Sequence, residues 1–343
     1  MSLKQSGKAD IVDVARAAKV SASTVSRSFN HPELVNPATR KKIDRAIARL
    51  GYIRNRAAQA MHGKRSGTIG LIVPTINHAI FAEVVQSFSD AIEKAGFTIL
   101  MTSHGYDLQR EYDVLRKMLE HRVDGVALIG LAHDDKTYHL IEQQDVPCVT
   151  IWNHDAGSRV SCVGAENFAA GRLAADHILG LGHRKIGMIF PSVTDNDRAQ
   201  GRLDGARAAL AATGVDVPVG WQLESPYSIS LAKAAVEELW QSGARPTALI
   251  CGNDVIAQGA VYAALKLGVR VPQNLSIVGI GDFKGSLEME PALTTVHIPA
   301  QDIGRIAGEE IVKSVAADAR DVTRVRCNVE LVVRATTRAI ADR

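Results

Sequence analysis

The 343-residue sequence contains no run of 18 apolar residues and no apolar N-terminal stretch of the signal-peptide kind. Neither a membrane span nor an export signal is therefore expected, and the reading is cytoplasmic. Cysteine is scarce. The four residues Cys148, Cys162, Cys251 and Cys327 show no CxxC spacing, and three of them sit in apolar, strand-like runs. They read as reduced core residues rather than disulfides or metal ligands. There is no HExxH or other metal spacing, and no set of residues reads as nucleophile, base and acid. The glycine-rich pieces Gly180-Leu181-Gly182 and Gly279-Ile280-Gly281 lack phosphate-loop form and read as a helix stop and a strand-end turn. No enzyme, cofactor or metal is expected. Nor does a leucine heptad follow Arg334, so no coiled-coil tetramer is indicated.

Charge is present but unevenly placed. The chain carries only +3 overall, yet residues 1–66 hold 14 Lys+Arg against 4 Asp+Glu, a net +10, which leaves −7 on residues 67–343. A small basic module on a mildly acidic body points to nucleic acid as a partner. The pattern inside that module is helical. Ile11, Val14, Ala15 and Ala18 share one face at i, i+3, i+4, i+7 spacing. After Lys19-Val20, Ser21 is an N-cap for a second helix from Ala22 that buries Val25 and Phe29. A third helix opens on Asn36-Pro37, ends at Gly51, and covers the first two with Ile43, Ala46, Ile47 and Leu50. Two short helices joined by a tight turn make a helix-turn-helix, the second suited to the major groove.

The run Asp13-Val14-Ala15-Arg16-Ala17-Ala18-Lys19-Val20-Ser21-Ala22-Ser23-Thr24-Val25-Ser26-Arg27 resembles the head of the lactose/galactose-repressor family. So do Leu50-Gly51-Tyr52-Ile53-Arg54-Asn55 and Ala57-Ala58-Gln59-Ala60-Met61. Lys19 stands where that family usually has Gly, Arg54 where it has Pro, and Met61 where it has the hinge leucine. The resemblance implies that Ala22, Ser23 and Arg27 face base edges, with Arg27 able to grip guanine in bidentate fashion. It implies phosphate contacts from Thr24, Ser26, Asn30 and Arg56. It further implies that Asn55 to Gly63 form a hinge helix on DNA, with paired Met61 side chains wedged into the minor groove.

Beyond residue 66 strand-like and helical segments alternate. Thr68–Pro74 is a buried-strand run, followed by a helix over Phe81–Ala95 and a strand over Phe97–Thr102. Helix Gln109–His121, strand Gly125–Ile129, a further helix and strand Cys148–Ile151 come next. The alternation restarts after Gly164 with helix Ala169–Leu181, strand Ile186–Phe190 and helix Gly201–Ala212, then strands Ala248–Cys251 and Ser276–Ile280. The expected fold class is α/β: an all-α helix-turn-helix head on a core of two lobes, each a doubly wound parallel sheet, with ligand at the strands' carboxyl ends.

The phrases Ile69-Gly70-Leu71-Ile72-Val73-Pro74, Arg122-Val123-Asp124-Gly125, Gly182-His183-Arg184-Lys185-Ile186, Gly252-Asn253-Asp254 and Pro291-Ala292-Leu293-Thr294-Thr295-Val296 are similar to the same family's core. That likeness implies a periplasmic-binding-protein-like core. The organisation expected is a head over 1–53, a hinge over 54–65 and a core over 66–343. The N-lobe would comprise about 66–164 and 296–322, and the C-lobe about 165–295 and 323–343, joined by three crossings. The effector set it implies is Arg202, Asn253 and Tyr227 in one lobe, with Asn77, Phe81 and Trp152 facing them. Gly281 occupies the position where the family usually has an acid that grips sugar hydroxyls, which points to an anion such as a sugar acid; His78, His154 or Lys284 are candidate helpers. The function implied is a homodimeric repressor on a near-palindromic operator, controlled by a small sugar-like effector. Release by an inducer and co-repression both remain open. The alternatives are a sugar-binding protein of the same core fold, such as a solute-binding transport component, and an enzyme on that fold. Operator binding by the purified protein separates them.

Overall fold

The protein is described by a computed structural model covering residues 8–54, 65–77, 81–317 and 321–340. The chain divides into two compact units, Met1–Ser66 and Gly67–Arg343. In the first, helices α1 (Ile11–Ala18), α2 (Ala22–Asn30) and α3 (Pro37–Leu50) enclose a small core of Val14, Ala15, Ala18, Val25, Ile43 and Ala46. Each start has a local cause. Asp10 caps α1 and shares a reciprocal capping box with Asp13, Ser21 accepts from Thr24 N, and Asn36 accepts from Ala38 N ahead of Pro37. Such caps contribute roughly 1 kcal/mol each. Lys19 ends α1 in the left-handed conformation at φ 58°, and its N–H bonds the Ala15 and Arg16 carbonyls. A Cβ there costs roughly 1–2 kcal/mol, which the packed helices on either side offset.

The second unit is a two-lobed α/β core. One six-stranded sheet, wholly parallel, has the order β11-β5-β4-β3-β1-β2, with β1 Thr68–Val73, β2 Thr98–Ser103, β3 Gly125–Ile129, β4 Cys148–Asn153, β5 Ser161–Ala165 and β11 Arg324–Arg326. Helices α4 (Ala82–Lys94), α5 (Leu108–Glu120) and α6 (Asp135–Gln143) belong to it. So does α11 (Ala300–Ala316), which packs on α4 and on β4. The other sheet runs β12-β10-β9-β8-β6-β7, with β6 Ile186–Phe190, β7 Gln222–Glu224, β8 Ala248–Cys251, β9 Ser276–Gly281, β10 Thr294–His297 and β12 Glu330–Val332. Only its β10–β12 pair is antiparallel. Its helices are α7 (Asn167–Gly180), α8 (Asp197–Ala212), α9 (Ile229–Gln241) and α10 (Asp254–Lys266).

The lobe boundaries differ from those expected by a few residues. All of β10, His297 included, pairs with β9 in the second sheet, so the return crossing comes after 297 rather than at 296. Arg324–Arg326 pair with Cys162–Gly164 in the first sheet, so the final crossing follows 326 rather than 322. Hydrogen-bond partners decide these points, and hydrophobic pattern alone does not carry them. Helix α8 also begins four residues before the expected Gly201, because Asn196 caps it by accepting from Ala199 N.

The last described stretch is stitched onto the second lobe through two histidines. His177 Nε2 meets Thr337 Oγ1 at 3.0 Å, while His183 meets Thr247 Oγ1 at 2.9 Å and the Arg338 carbonyl at 3.0 Å. Burial lowers both imidazoles' pKa below 6.5, the neighbouring charge adding to the effect at His177. In the window between 6.5 and those lowered values the unfolded chain binds protons that the folded chain refuses. This contribution is complete above pH 6.5 and is lost as pH falls below it. Denaturant midpoints should drop between pH 7.5 and 5.5, and the drop should be smaller in His183→Asn. An identical pH response of parent and variant would contradict this assignment.

Candidate functional site

On the head, Ser23 and Arg27 lie four residues apart on the exposed side of α2. Ala22, Thr24, Ser26 and Asn30 are half-buried beside them. Ser21 Oγ lies 2.8 Å from both Ser23 Oγ and Thr24 Oγ1, and Asn30 Nδ2 donates to Ser26 Oγ at 3.3 Å. Arg54 donates to Asn30 Oδ1 and lays its guanidinium 5.2 Å from the Phe29 ring centre. The arginine that replaces the family's proline thus secures the end of α2. Thr24, Ser26 and Asn30 are oriented by intramolecular bonds, whereas Arg27 has no ion-pair partner among the described residues. Asn55, Arg56 and Met61 lie outside the described residues, as does His78.

In the core, the carboxyl ends of β2, β4 and β8 bring Tyr106, Trp152 and Asn253 towards α8. The reason begins with two glycines. A Cβ at Gly171 would stand 1.8 Å from the Arg202 carbonyl oxygen, and one at Gly205 1.9 Å from that of Phe168. Their absence lets α7 and α8 touch backbone to backbone, which seats Arg202 against Asn167. Arg202 Nε donates to Asn167 Oδ1 at 2.8 Å and its Nη1 to the Gly252 carbonyl at 2.9 Å. Asn167 Nδ2 continues the chain to Asn153 Oδ1 at 2.9 Å. Arg202 is 3% exposed, and its hydrogen-bond acceptors, Asn167 Oδ1 and the Gly252 carbonyl, are neutral. Burial lowers its pKa.

Nearby carboxylates are already engaged. Asp197, in the first turn of α8, accepts from Leu131 N (2.7 Å), Ala132 N (3.2 Å) and Asn153 Nδ2 (2.8 Å) across the lobes, and from Arg198 Nη1 (2.9 Å). Arg198 Nη1 also reaches the Ile129 carbonyl at 3.3 Å. Asp254 accepts from Ser286, Thr295 and Phe283 N, and burial raises its pKa despite those bonds. Asp282 pairs with Arg334 at 2.6 Å and His297 at 3.2 Å. At Gly281 the backbone has φ 137°, and a Cβ would fall 2.4 Å from the Phe283 ring, so an acid fits at this position only if that ring moves.

The unused hydrogens are donors. Trp152 Nε1 and Asn253 Nδ2 are buried without a hydrogen-bond partner, and the buried Tyr106 O–H has no acceptor, although Arg198 approaches its oxygen. Trp152 is held at φ 89° and meets Phe81 edge-on at 5.6 Å. Asn253 spends its Oδ1 on capping α10. Tyr227 is buried and accepts from Asn196 Nδ2 at 3.1 Å. Two expected members stand apart: Asn77 is exposed, with its N–H on Thr75, and Lys284 is exposed. His154 lies 3.7 Å from Glu166. Sequence reading missed Asp197, Arg198 and Tyr106; the Asn196-Asp197 capping pattern was the signal available for the first two. Among the described residues no group of three or more His, Cys, Asp or Glu is arranged to hold a metal, and no helix is long and apolar enough to cross a membrane.

A basic helix-turn-helix unit joined in one chain to a two-lobed α/β core defines a DNA-binding transcription regulator. Residues 10–55 match the family described as bacterial regulatory proteins, lacI family, and residues 175–337 match the periplasmic binding protein-like domain. The chain belongs to the LacI family. It is 30% identical to the HTH-type transcriptional repressor PurR of Proteus mirabilis, over 97% of each chain. A LacI-family transcriptional regulator from Silicibacter pomeroyi superposes with a TM-score of 0.86 at 26% identity, over 96% of this chain and 99% of that one. The lac repressor dimer bound to operator and the anti-inducer ONPF gives 0.84 at 25% identity, over 97% and 100%. The protein is a transcriptional regulator and not an enzyme.

Proposed function

We propose that this protein is a homodimeric operator-binding repressor whose DNA affinity is set by a small, polyhydroxylated anion, a sugar acid, held between the lobes of its core. The observation that carries the effector class is the imbalance at the cleft. A buried guanidinium bonded only to neutral acceptors stands with donors that have no acceptor. A neutral sugar hydroxyl donates as well as accepts and would need a free acceptor; a carboxylate only accepts. Trp152 and Tyr227 offer aromatic surface to the ligand's apolar face, and Phe81 supports Trp152 from behind. Bridging both lobes, the ligand changes their relative closure, and the hinge segment 54–65 carries that change to the heads. The wild-type test is calorimetric titration with matched sugar and acid pairs. Tight binding of a neutral sugar with no preference for its acid would refute the anionic effector and leave the DNA-binding assignment intact.

On DNA, Ala22, Ser23 and Arg27 read base edges, while Thr24, Ser26, Asn30 and Arg56 hold phosphates. Asn55 and Met61, which lie outside the described residues, complete the DNA-contacting set that family likeness assigns. A bidentate arginine–guanine pair discriminates by about 1–3 kcal/mol. Arg27→Ala should therefore weaken operator binding and flatten preference at one base pair per half-site. Operator and random duplex are compared at one salt concentration, and an unchanged ratio would remove Arg27 from the reading set. With a net +10 on residues 1–66, parent affinity should also fall with a log–log salt slope of several units.

A further inference from the structure

Tyr106 has no part in the effector set drawn from family likeness, yet its surroundings single it out. It lies in the short loop between β2 and α5, at the carboxyl edge of the first sheet. That loop is held from both sides. His104 Nδ1 lies 3.3 Å from the Asp107 carbonyl oxygen, Asp107 caps α5 by accepting from Arg110 N, and the His104 and Tyr106 rings are 6.4 Å apart. The ring packs against the main hydrophobic core, and the backbone is in the left-handed region at φ 62°. A non-glycine residue in that conformation is strained and persists only where its surroundings hold it there.

The tip of this fixed ring is the anomaly. The hydroxyl is buried, and its O–H has no acceptor in hydrogen-bonding geometry. Arg198 is close enough to act as a donor towards its oxygen, and Arg202 and Tyr227 act on it electrostatically. A phenylalanine would supply the same packing without burying an O–H that has no acceptor, which is costly. Trp152 Nε1 and Asn253 Nδ2 share this condition, and the hydrogen-bonded chain from Gly252 through Arg202 and Asn167 to Asn153 links the positions next to them.

We propose that Tyr106 contacts the effector, its hydroxyl donating to an acidic oxygen alongside Arg202, and that it helps select an acid over the corresponding neutral sugar. Burial raises its pKa well above the ordinary 10.0, so the phenol stays protonated and remains a donor across the neutral range. With Arg202 it forms a two-sided clamp: the guanidinium supplies charge, and the phenol supplies a directed hydrogen bond from the other lobe. The residue is therefore assigned to specificity. The inference rests on the anionic-effector reading.

The test uses the full-length protein and the variant Tyr106→Phe. The probes are gluconate, galactonate, arabinonate and xylonate, each paired with its parent sugar, followed by calorimetry and by melting of the ligand-free protein. Whichever acid the parent binds should bind the variant about tenfold or more weakly. The parent sugar's binding should be unchanged, and the ligand-free variant should melt at the same temperature or higher. A change in acid affinity under threefold overturns the assignment and leaves the anionic-effector reading standing. A ligand-free variant that melts markedly lower than the parent also overturns it, because the hydroxyl is then chiefly a structural partner of Arg198. If the parent binds none of the acids, the anionic-effector reading fails and the role of Tyr106 fails with it.

Discussion

Arg202→Ala is expected to weaken effector control and to destabilise the core at the same time. The guanidinium satisfies Asn167 Oδ1 and the Gly252 carbonyl in an environment that excludes water. Removing it leaves two buried acceptors unpaired, at roughly 1–3 kcal/mol each. Release from burying an uncompensated charge offsets part of that loss. A net destabilisation of about 2–4 kcal/mol follows. Effector affinity should fall tenfold or more, since a charge-assisted hydrogen bond contributes about 1.5–3 kcal/mol. Operator binding without effector should stay within twofold of the parent at a temperature where both are folded. Arg202→Lys separates the two roles: it keeps the charge, but its single ammonium lacks the planar fork that reaches two acceptors in fixed directions. Denaturant melts and calorimetry on all three proteins give the answer. An alanine variant as stable as the parent and equally ligand-responsive would show that Arg202 is a bystander.

The second large effect is expected at Asp197. Its carboxylate joins the lobes by accepting from Leu131 N, Ala132 N and Asn153 Nδ2, while Arg198 braces it and reaches the Ile129 carbonyl. The receiving loop is itself supported. Tyr138 donates to the Leu131 carbonyl at 2.8 Å, and His133 bridges the Gly130 carbonyl and Glu111. Asp197→Ala strands three donors and leaves Arg198, whose side chain is 5% exposed, without its carboxylate. Breaking a fully buried charge pair costs about 3–5 kcal/mol. Asp197 retains one-fifth of its side-chain exposure, so about 2–4 kcal/mol is the expected loss. Because these bonds cross between lobes, the ligand-free core should open as well. Small-angle scattering should show a larger radius of gyration for Asp197→Ala than for the parent, with Asp197→Asn between them. Equal radii and equal melting temperatures would mean that the crossing bonds do not hold the lobes together.

The head was almost wholly legible from sequence. Asp10, Ser21 and Asn36 as caps, Pro37 at a first helical position, Gly51 as a stop and apolar residues at helical spacing all act within a few residues of one another. Their interactions are local, so a linear pattern contains them. The strand and helix alternation of the core was legible for the same reason, and family likeness placed Arg202, Asn253, Trp152 and Tyr227 in the candidate site. What linear pattern did not carry is set by partners far away in the chain. Arg324–Arg326 join the first sheet only because Cys162–Gly164 present an open edge, and His297 stays in the second because Gly281 pairs with it. Asp197 and Arg198 read as ordinary residues at a helix start until Leu131, Ala132 and Asn153 are brought opposite them. Gly281 read as a missing acid; in the fold, the Phe283 ring occupies the space that a side chain there would need. Tyr106 showed nothing at all in the sequence, because an O–H without an acceptor is a property of its surroundings and not of the residue. Sequence by itself determined the class of protein, since a helix-turn-helix is built from short-range caps and periodicity. Tertiary structure decided the chemistry of the cleft, since whether a donor, acceptor or charge is spent or free depends on groups that meet only when the two lobes come together.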